Sequence, residues 1–244
     1  MRPTARGERL TDAEAPVLGH PRMHLRRTDS TNERARALAI AGAPTGTLLT
    51  AAEQTAGRGR QGRTWTAQAN SALLCSLILR EPPPLLSLIA GVAVCDAVGE
   101  RASVKWPNDI VVKPALAKLA GILVEGRPQE GWAVLGIGLN VAVRIEQLPS
   151  ELRGRAASLE LPPSAIEPMV ERLMRALERR LAEPTKDVLD AWRGRDALMG
   201  RDVSWDRGQG VARGIDDAGR LIVTLADGST AKLDAGEIHL GPAL

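Results

Sequence analysis

Residues 103–141 read SVKWPNDIVVKPALAKLAGILVEGRPQEGWAVLGIGLNV, and the way this stretch is punctuated decides the fold. Strand signals at 103–106, 110–112, 121–125 and 132–141 follow one another with no helical period between them. Strands joined by such short connections pair as antiparallel neighbours, because a parallel pair needs a crossover of a dozen residues or more. The stretch is a meander. Working outward, 47–52 and 72–79 also read as strands. Helical patterns cover residues 30–41, stopped by Gly42 and Pro44, and residues 86–100, with Leu88, Val92, Cys95 and Val98 near one face. After Pro163 a strongly amphipathic helix carries Val170, Leu173, Leu177 and Leu181 and ends at Glu183-Pro184. A shorter helix holds Val188, Leu189 and Trp192. The fold class expected is α+β, a mixed or antiparallel sheet with helices packed on it.

From about Met199 the pattern changes to short strands at 202–205, 211–215, 221–225 and 230–233, with hairpin signals at Asp217-Ala218-Gly219 and Asp227-Gly228. So few residues make a small β-barrel that needs docking onto a larger body. The expected organisation is an N-terminal arm over 1–21, a main domain over 22–196 and a C-terminal β domain over 197–244.

Composition narrows the search for chemistry. The 244 residues include five Trp but no Phe and no Tyr, so the core rests mainly on Leu, Val, Ile and Ala. Only five residues are Lys and four are Asn, the bias of a GC-rich coding sequence. Asn32, Asn70, Asn108 and Asn140 all lie between residues 30 and 140, and so do three of the five Lys. A net charge of +3 gives no case for a nucleic-acid-coating protein. Cys75 and Cys95 sit alone in apolar stretches, and His20, His24 and His239 have no metal-binding spacing. No apolar run approaches the roughly 20 residues of a membrane span and no signal peptide is visible, so a cytoplasmic protein without membrane partners is expected.

Within 54–65 the sequence Gln-Thr-Ala-Gly-Arg-Gly-Arg-Gln-Gly-Arg-Thr-Trp contains G-x-G-x-x-G at Gly57, Gly59 and Gly62. A dinucleotide fingerprint needs a helix N-terminus next, and a strand follows instead. Three arginines, Arg58, Arg60 and Arg63, on a backbone loosened by glycine read as a flexible clamp for phosphate or carboxylate, or as a solvated basic turn. Lys105-Trp106-Pro107-Asn108-Asp109 is a sharp turn carrying an amide and a carboxylate. Lys118 starts the strand that runs to Glu125, either as an edge guard or as a charge placed on an anion. Ser30-Thr31-Asn32-Glu33 is also a helix capping box. Gly136-Ile137-Gly138-Leu139-Asn140 would let a ligand approach the backbone.

Taken together and in order, Asp29–Asn32, 54–63, 105–109, 118–123 and 136–140 resemble the biotin protein ligases, over residues 25–143, and the small C-terminal β domain fits as well. The resemblance implies a catalytic domain like that of class II aminoacyl-tRNA synthetases, followed by an SH3-like barrel. It implies two reactions: biotin and ATP give biotinyl-5′-adenylate and pyrophosphate, and the biotinyl group then passes to a lysine of a biotin carboxyl carrier protein or domain of acetyl-CoA or a related carboxylase. Ser30, Thr31, Asn32 and Gln54 would bind biotin, with Gly57, Arg58, Gly59 and Arg60 closing over it. Arg58, Arg63, Trp65, Asn108 and Asn140 would face the nucleotide. Lys118, also a biotin contact, would act in catalysis with Arg60 and Asp109, and Asp109 would hold Mg2+. Lacking Phe and Tyr, such a site must stack on Trp65, Trp106 or aliphatic walls.

This sequence departs from the family in the long apolar stretch Lys113-Pro114-Ala115-Leu116-Ala117, and in Thr66-Ala67 after Trp65. Its N-terminus is too short for a winged helix-turn-helix, so no repressor activity and no specific nucleic acid is expected. A lipoate or octanoate transferring protein would give no reason for Gln54 or for 105–109. A nucleic-acid module would use the three loop arginines on phosphates and lose affinity steeply with salt.

Overall fold

The first half of the chain supplies β1 (Arg22–Leu25), α1 (Thr31–Ile40), β2 (Leu48–Ala51), β3 (Ala72–Arg80), α2 (Leu86–Val98), β4 (Ala102–Lys105), β5 (Asp109–Val112), β6 (Ala117–Arg127) and β7 (Trp132–Asn140). The computed structural model describes residues 18–127, 130–234, 236 and 238–241, the backbone alone at Arg127; the expected arm over 1–21 therefore lies outside the described residues as far as residue 17. These strands form one seven-stranded sheet in the order β1-β2-β3-β7-β6-β5-β4. Only β1 and β2 run parallel; every other pair is antiparallel, including the expected meander β4 to β7.

β3 lies in the sheet interior, next to the central β7, with eight of its nine residues buried, which is why Ala-Leu-Leu-Cys-Ser-Leu-Ile-Leu reads as a nearly continuous apolar run rather than an alternating one. One face of the sheet is covered by α2, by α4 (Ile166–Ala182) and by α5 (Thr185–Arg193), whose buried Val170, Leu173, Leu177 and Trp192 join Leu77, Ile137 and Leu139 in the main core. α2 is buried on nearly all sides, not along the single face expected, because it is sandwiched between the sheet and the two later helices. Asp96 of α2 ties them together. It accepts from Arg179, Arg180 and Arg195, each at 2.7 Å; burial opposes the charge, and the arginines hold its carboxyl below the usual range. The other face carries α1, packed through Ala35 and Ala39 on Leu49, Ile78 and Val134. Beside α1, Trp65 and the segment 141–156, which includes α3 (Ser150–Arg153), cover Ala72 and Leu74.

The C-terminal strands β8 (Asp202–Trp205), β9 (Gly208–Ile215), β10 (Leu221–Thr224), β11 (Thr230–Leu233) and β12 (His239–Leu240) form a second, five-stranded antiparallel sheet in the order β11-β10-β9-β8-β12. Its expected hairpins are present, with Asp216 Oδ1 accepting from Ala218 N and Asp227 Oδ1 from Ser229 N. The first hairpin is the dock. Gly219 O accepts from Trp106 Nε1 at 3.0 Å, and a Cβ at Gly219 would lie 2.8 Å from both Leu85 and Leu88.

Some expectations are corrected. The capping box does not form: Ser30 has an extended backbone at the N-cap of α1 but no side-chain cap bond, and Glu33 pairs with Arg36 and Arg58 instead. Asn70, scarce by composition, holds a left-handed turn (φ 59°) just before β3, a conformation Asn tolerates better than most residues. β6 starts at Ala117, so Lys118 lies within the strand opposite Val111 and not at its mouth.

Asp196 stands beside the junction and carries a pH prediction. It is 8% exposed, its Oδ1 accepts from Leu198 N at 2.7 Å, and Oδ2 has no partner among the described residues. Burial pushes its carboxyl above the ordinary value of 3.8, against the hydrogen bonds from Leu198 and Met199 and the charge of Lys113. Since the folded value is the higher one, the protonated form contributes stability below pH 3.8, and that contribution is lost as pH rises through the raised value. Asp196→Asn should therefore flatten the fall in thermal stability above about pH 4 and raise the midpoint near pH 7 by about 2–4 °C, the shift that roughly 1 kcal/mol gives a chain of this size. A midpoint lower than wild type at pH 7 would contradict it.

Candidate active site

On the α1 face, a cavity of about 990 Å3 opens between the sheet, the arginine loop, the segment 148–156 and the C-terminal sheet. Nearly all the residues singled out from sequence line it: Ser30, Thr31, Asn32, Gln54, Arg58, Gly59, Arg60, Arg63, Trp65, Asn108, Asp109, Lys118 and Asn140; Gly57 sits behind Trp65, at the base of the loop. Lys113 is exposed and outside the lining, so the two lysines of the long turn are separated. Lys105 and Arg155 also line the cavity, which gives six Arg or Lys side chains against Asp109 and Asp206. The net charge suits a polyanion.

Pairing of β6 with β7 organises the interior at two levels. Gly121 is opposite Gly138, and Leu123 is opposite Gly136, two residues further along each strand, or roughly 7 Å. At the first level Trp65 lies flat on the backbone, and a Cβ at Gly138 would come within 2.6 Å of its indole. Lys118 Nζ sits 5.8 Å from the Trp65 ring centroid and 2.7 Å from Asp109 Oδ1. At the second level Asn32 takes the space where a Gly136 Cβ would stand. Its Oδ1 accepts from Ser76 Oγ at 2.6 Å, and its Nδ2 donates to Glu125 Oε2 at 2.8 Å. Gln54 Oε1 accepts from Thr31 N at 2.7 Å and from Thr31 Oγ1 at 3.0 Å. The glycines read as openings for a ligand are thus occupied by the protein's own side chains. One level is polar and uncharged at its centre, the other cationic.

The arginine loop crosses the cavity as a strap. Backbone bonds Trp65 N to Gly57 O (2.9 Å) and Gly59 N to Arg63 O (2.7 Å) close its base, and Gln61 (φ 54°) and Gly62 (φ 74°) turn its tip. Arg58 meets Glu33 at 2.8 Å and Glu125 at 2.9 Å on one side, while Arg60 donates to Asn108 Oδ1 at 3.0 Å on the other. Asn108 is held in turn through Nδ2 to Ile122 O. The expected turn is confirmed, with Lys105 paired to Asp109 across it.

Two lining residues also hold the wall itself together. Asn140 spends its amide on Ala157 O at 2.8 Å, so it fixes the segment over the cavity from within the wall. Trp106 lines the cavity but is 2% exposed and donates Nε1 to Gly219 O, so most of its indole is packed in the core. Sequence reading missed Ser76, Glu125 and Arg155, and also Trp205 and His239, which line the cavity from the C-terminal sheet. Cys75, also in the wall, is a neutral thiol, pushed up to about 12 by burial. Among the described residues no group of three or more His, Cys, Asp or Glu side chains is placed to hold a metal, and no helix is long and apolar enough to cross a membrane.

The chain matches the biotin/lipoate A/B protein ligase family over residues 24–141 and the biotin protein ligase C-terminal domain over 208–241. It is 37% identical over 239 residues to the biotin acetyl-CoA-carboxylase ligase of Mycobacterium tuberculosis, covering 87% of this chain and 86% of that one. To the bifunctional ligase/repressor BirA of Bacillus spizizenii it is 33% identical, covering 92% and 75%. The structure of the Aquifex aeolicus biotin protein ligase in complex with biotin and ATP superposes with a TM-score of 0.75 at 26% identity, covering 92% of this chain and all of the other. A mixed sheet, a small C-terminal β unit and a cationic cavity closed by both define an enzyme of the ligase class. More particularly, the chain belongs to the biotin protein ligase family.

Proposed function

We propose that this protein is an ATP-dependent biotin protein ligase that forms biotinyl-5′-adenylate and then transfers biotin to a lysine of a carboxylase carrier domain. The observation that carries the reading is the two-level cavity: a hydrogen-bonding end built from Thr31, Asn32 and Gln54, and a cationic end built from Lys118 and the strap, roughly 7 Å apart along the strands. Ser30, Thr31, Asn32 and Gln54 would take the ureido ring, whose donors and acceptors suit amide and hydroxyl partners. The carboxylate would then reach the level of Lys118.

Attack of that carboxylate on the α-phosphate brings two anions together and gathers charge on the phosphoryl oxygens as pyrophosphate departs. Lys118 supplies a compact positive charge there, and Arg58, Arg60 and Arg63 offer planar donors to carboxylate and phosphate. Trp65 offers the nucleotide side an aromatic face, and Asn108 and Asn140 brace that side from behind. Mg2+ commonly binds one or two carboxylates together with substrate phosphates, so Asp109 alone fits an ion carried in with ATP, where the ion would neutralise phosphate charge. A strap pinned on both sides shields the water-labile adenylate. The domain division 22–196 and 197–244 and a cytoplasmic setting belong to the same proposal.

The direct test is exchange of labelled pyrophosphate into ATP by the full chain with magnesium. Exchange that requires biotin is expected. Exchange without biotin, or with lipoate in its place, would overturn the assignment.

A further inference from the structure

A polar chain links the hydrogen-bonding end of the cavity to the strap. Gln54 Oε1 accepts from Thr31; Ser76 Oγ lies 2.8 Å from Thr31 Oγ1 and 2.6 Å from Asn32 Oδ1; Asn32 Nδ2 donates to Glu125 Oε2 at 2.8 Å; and Glu125 Oε1 meets Arg58 at 2.9 Å. Each end of the chain is a residue assigned to ligand above, but Glu125 is not. It divides its carboxylate, one oxygen for the pocket wall and one for the strap.

Geometry makes this link firm. Asn32 is 4% exposed and is blocked from moving toward β7 by the backbone at Gly136, so the Oε2 contact fixes the carboxylate plane. Oε1 is then presented to Arg58 by the rigid strand β6 and not by a mobile side chain. The Glu125 side chain is 19% exposed, against 48% for Glu33, the other carboxylate on Arg58, so the Glu125 pair is the less screened of the two. On the opposite side Arg60 of the strap donates a charge-assisted bond to Asn108.

We propose that Glu125 is a positioning residue of the ligase reaction: it anchors the strap to the wall that holds Asn32, and so sets how long the adenylate stays enclosed. This rests on the ligase reading, and the experiment separates the two. If the wild-type chain shows no biotin-dependent pyrophosphate exchange, the ligase reading fails, and this inference with it. If exchange is present, Glu125→Gln keeps an acceptor for Asn32 and removes the charge on Arg58. Release of preformed adenylate should then be about tenfold faster, with exchange at saturating substrates and KM for biotin both within about twofold of wild type. Trypsin should also cleave the ligand-free variant faster after Arg58 and Arg60. The double variant Glu125→Gln/Arg58→Ala should release adenylate no faster than Arg58→Ala alone, because the two residues act through one contact. Unchanged release in Glu125→Gln, or effects that multiply in the double variant, would overturn the proposal. Should Glu125→Gln fail to fold, Arg58→Lys tests the same link from the strap side, since Lys cannot span Glu33 and Glu125 together; unchanged release there counts equally against it.

Discussion

Lys118→Ala is expected to lower biotin-dependent pyrophosphate exchange by on the order of 10²–10³-fold, the usual cost of removing one group that stabilises charge developing in a transition state. Lys113→Ala should leave exchange within about twofold, in the range of surface changes away from chemistry. The contrast follows from the turn between them. Lys113 is exposed outside the cavity, whereas Lys118 is drawn into β6 opposite Val111, with Nζ held between Asp109 and the Trp65 ring. The loss should fall mainly on the rate at saturation, with a smaller rise in KM for biotin, because Lys118 meets the bound carboxylate and, more strongly, the charge gathering on the reacting phosphoryl group. Lys118→Arg should recover little, as a planar fork does not replace a point charge at that position. Exchange by Lys118→Ala within tenfold of wild type would remove the residue from catalysis.

Gly138→Ala should raise KM for ATP about tenfold or more while KM for biotin changes less, and cost about 1–3 kcal/mol of stability through overpacking. The added methyl would sit 2.6 Å from Cε2 and 2.9 Å from Cδ2 and Cζ2 of Trp65. β7 cannot retreat, being hydrogen-bonded to β3 on one side and β6 on the other, so the indole must move. Lys118, packed against the same ring, loses its support with it. The biotin end is two residues away along the strand, at Gly136, and is braced separately by Ser76 and Glu125. An unchanged KM for ATP in a variant folded as well as wild type would show that Trp65 does not form the nucleotide wall.

Sequence reading reached the meander and the strap because their signals are local: turn residues, runs of β-branched side chains, glycine and arginine in one loop. The scarcity of Asn and Lys was informative where the amide or ammonium is used on side chains, as at Asn32, Asn108 and Lys118. At Asn70 it reported a left-handed backbone instead. What stayed hidden depends on register between distant strands. Ser76 reaches Asn32 because it is paired with Gly136 across β3 and β7, sixty residues apart in sequence. A shift of one residue would turn it to the other face. β1 was missed because four residues carry no usable period; it exists as a strand by pairing with β2. Gly136 and Gly138 announced a close approach correctly, but nothing local tells whether a ligand or a side chain makes it.

The seat of Gly219 on Leu85, Leu88 and Trp106 limits how this enzyme can be shortened or rearranged. A labelling tool trimmed at residue 196 would bare an indole and two leucines and leave the cavity without Trp205, Ile238 and His239. Such a fragment would exchange a closed vessel for a sticky, open one. New segments fit better at the β10–β11 turn, Ala226-Asp227-Gly228, where all three residues are exposed or nearly so and a Cβ on Gly228 would meet nothing within 4 Å.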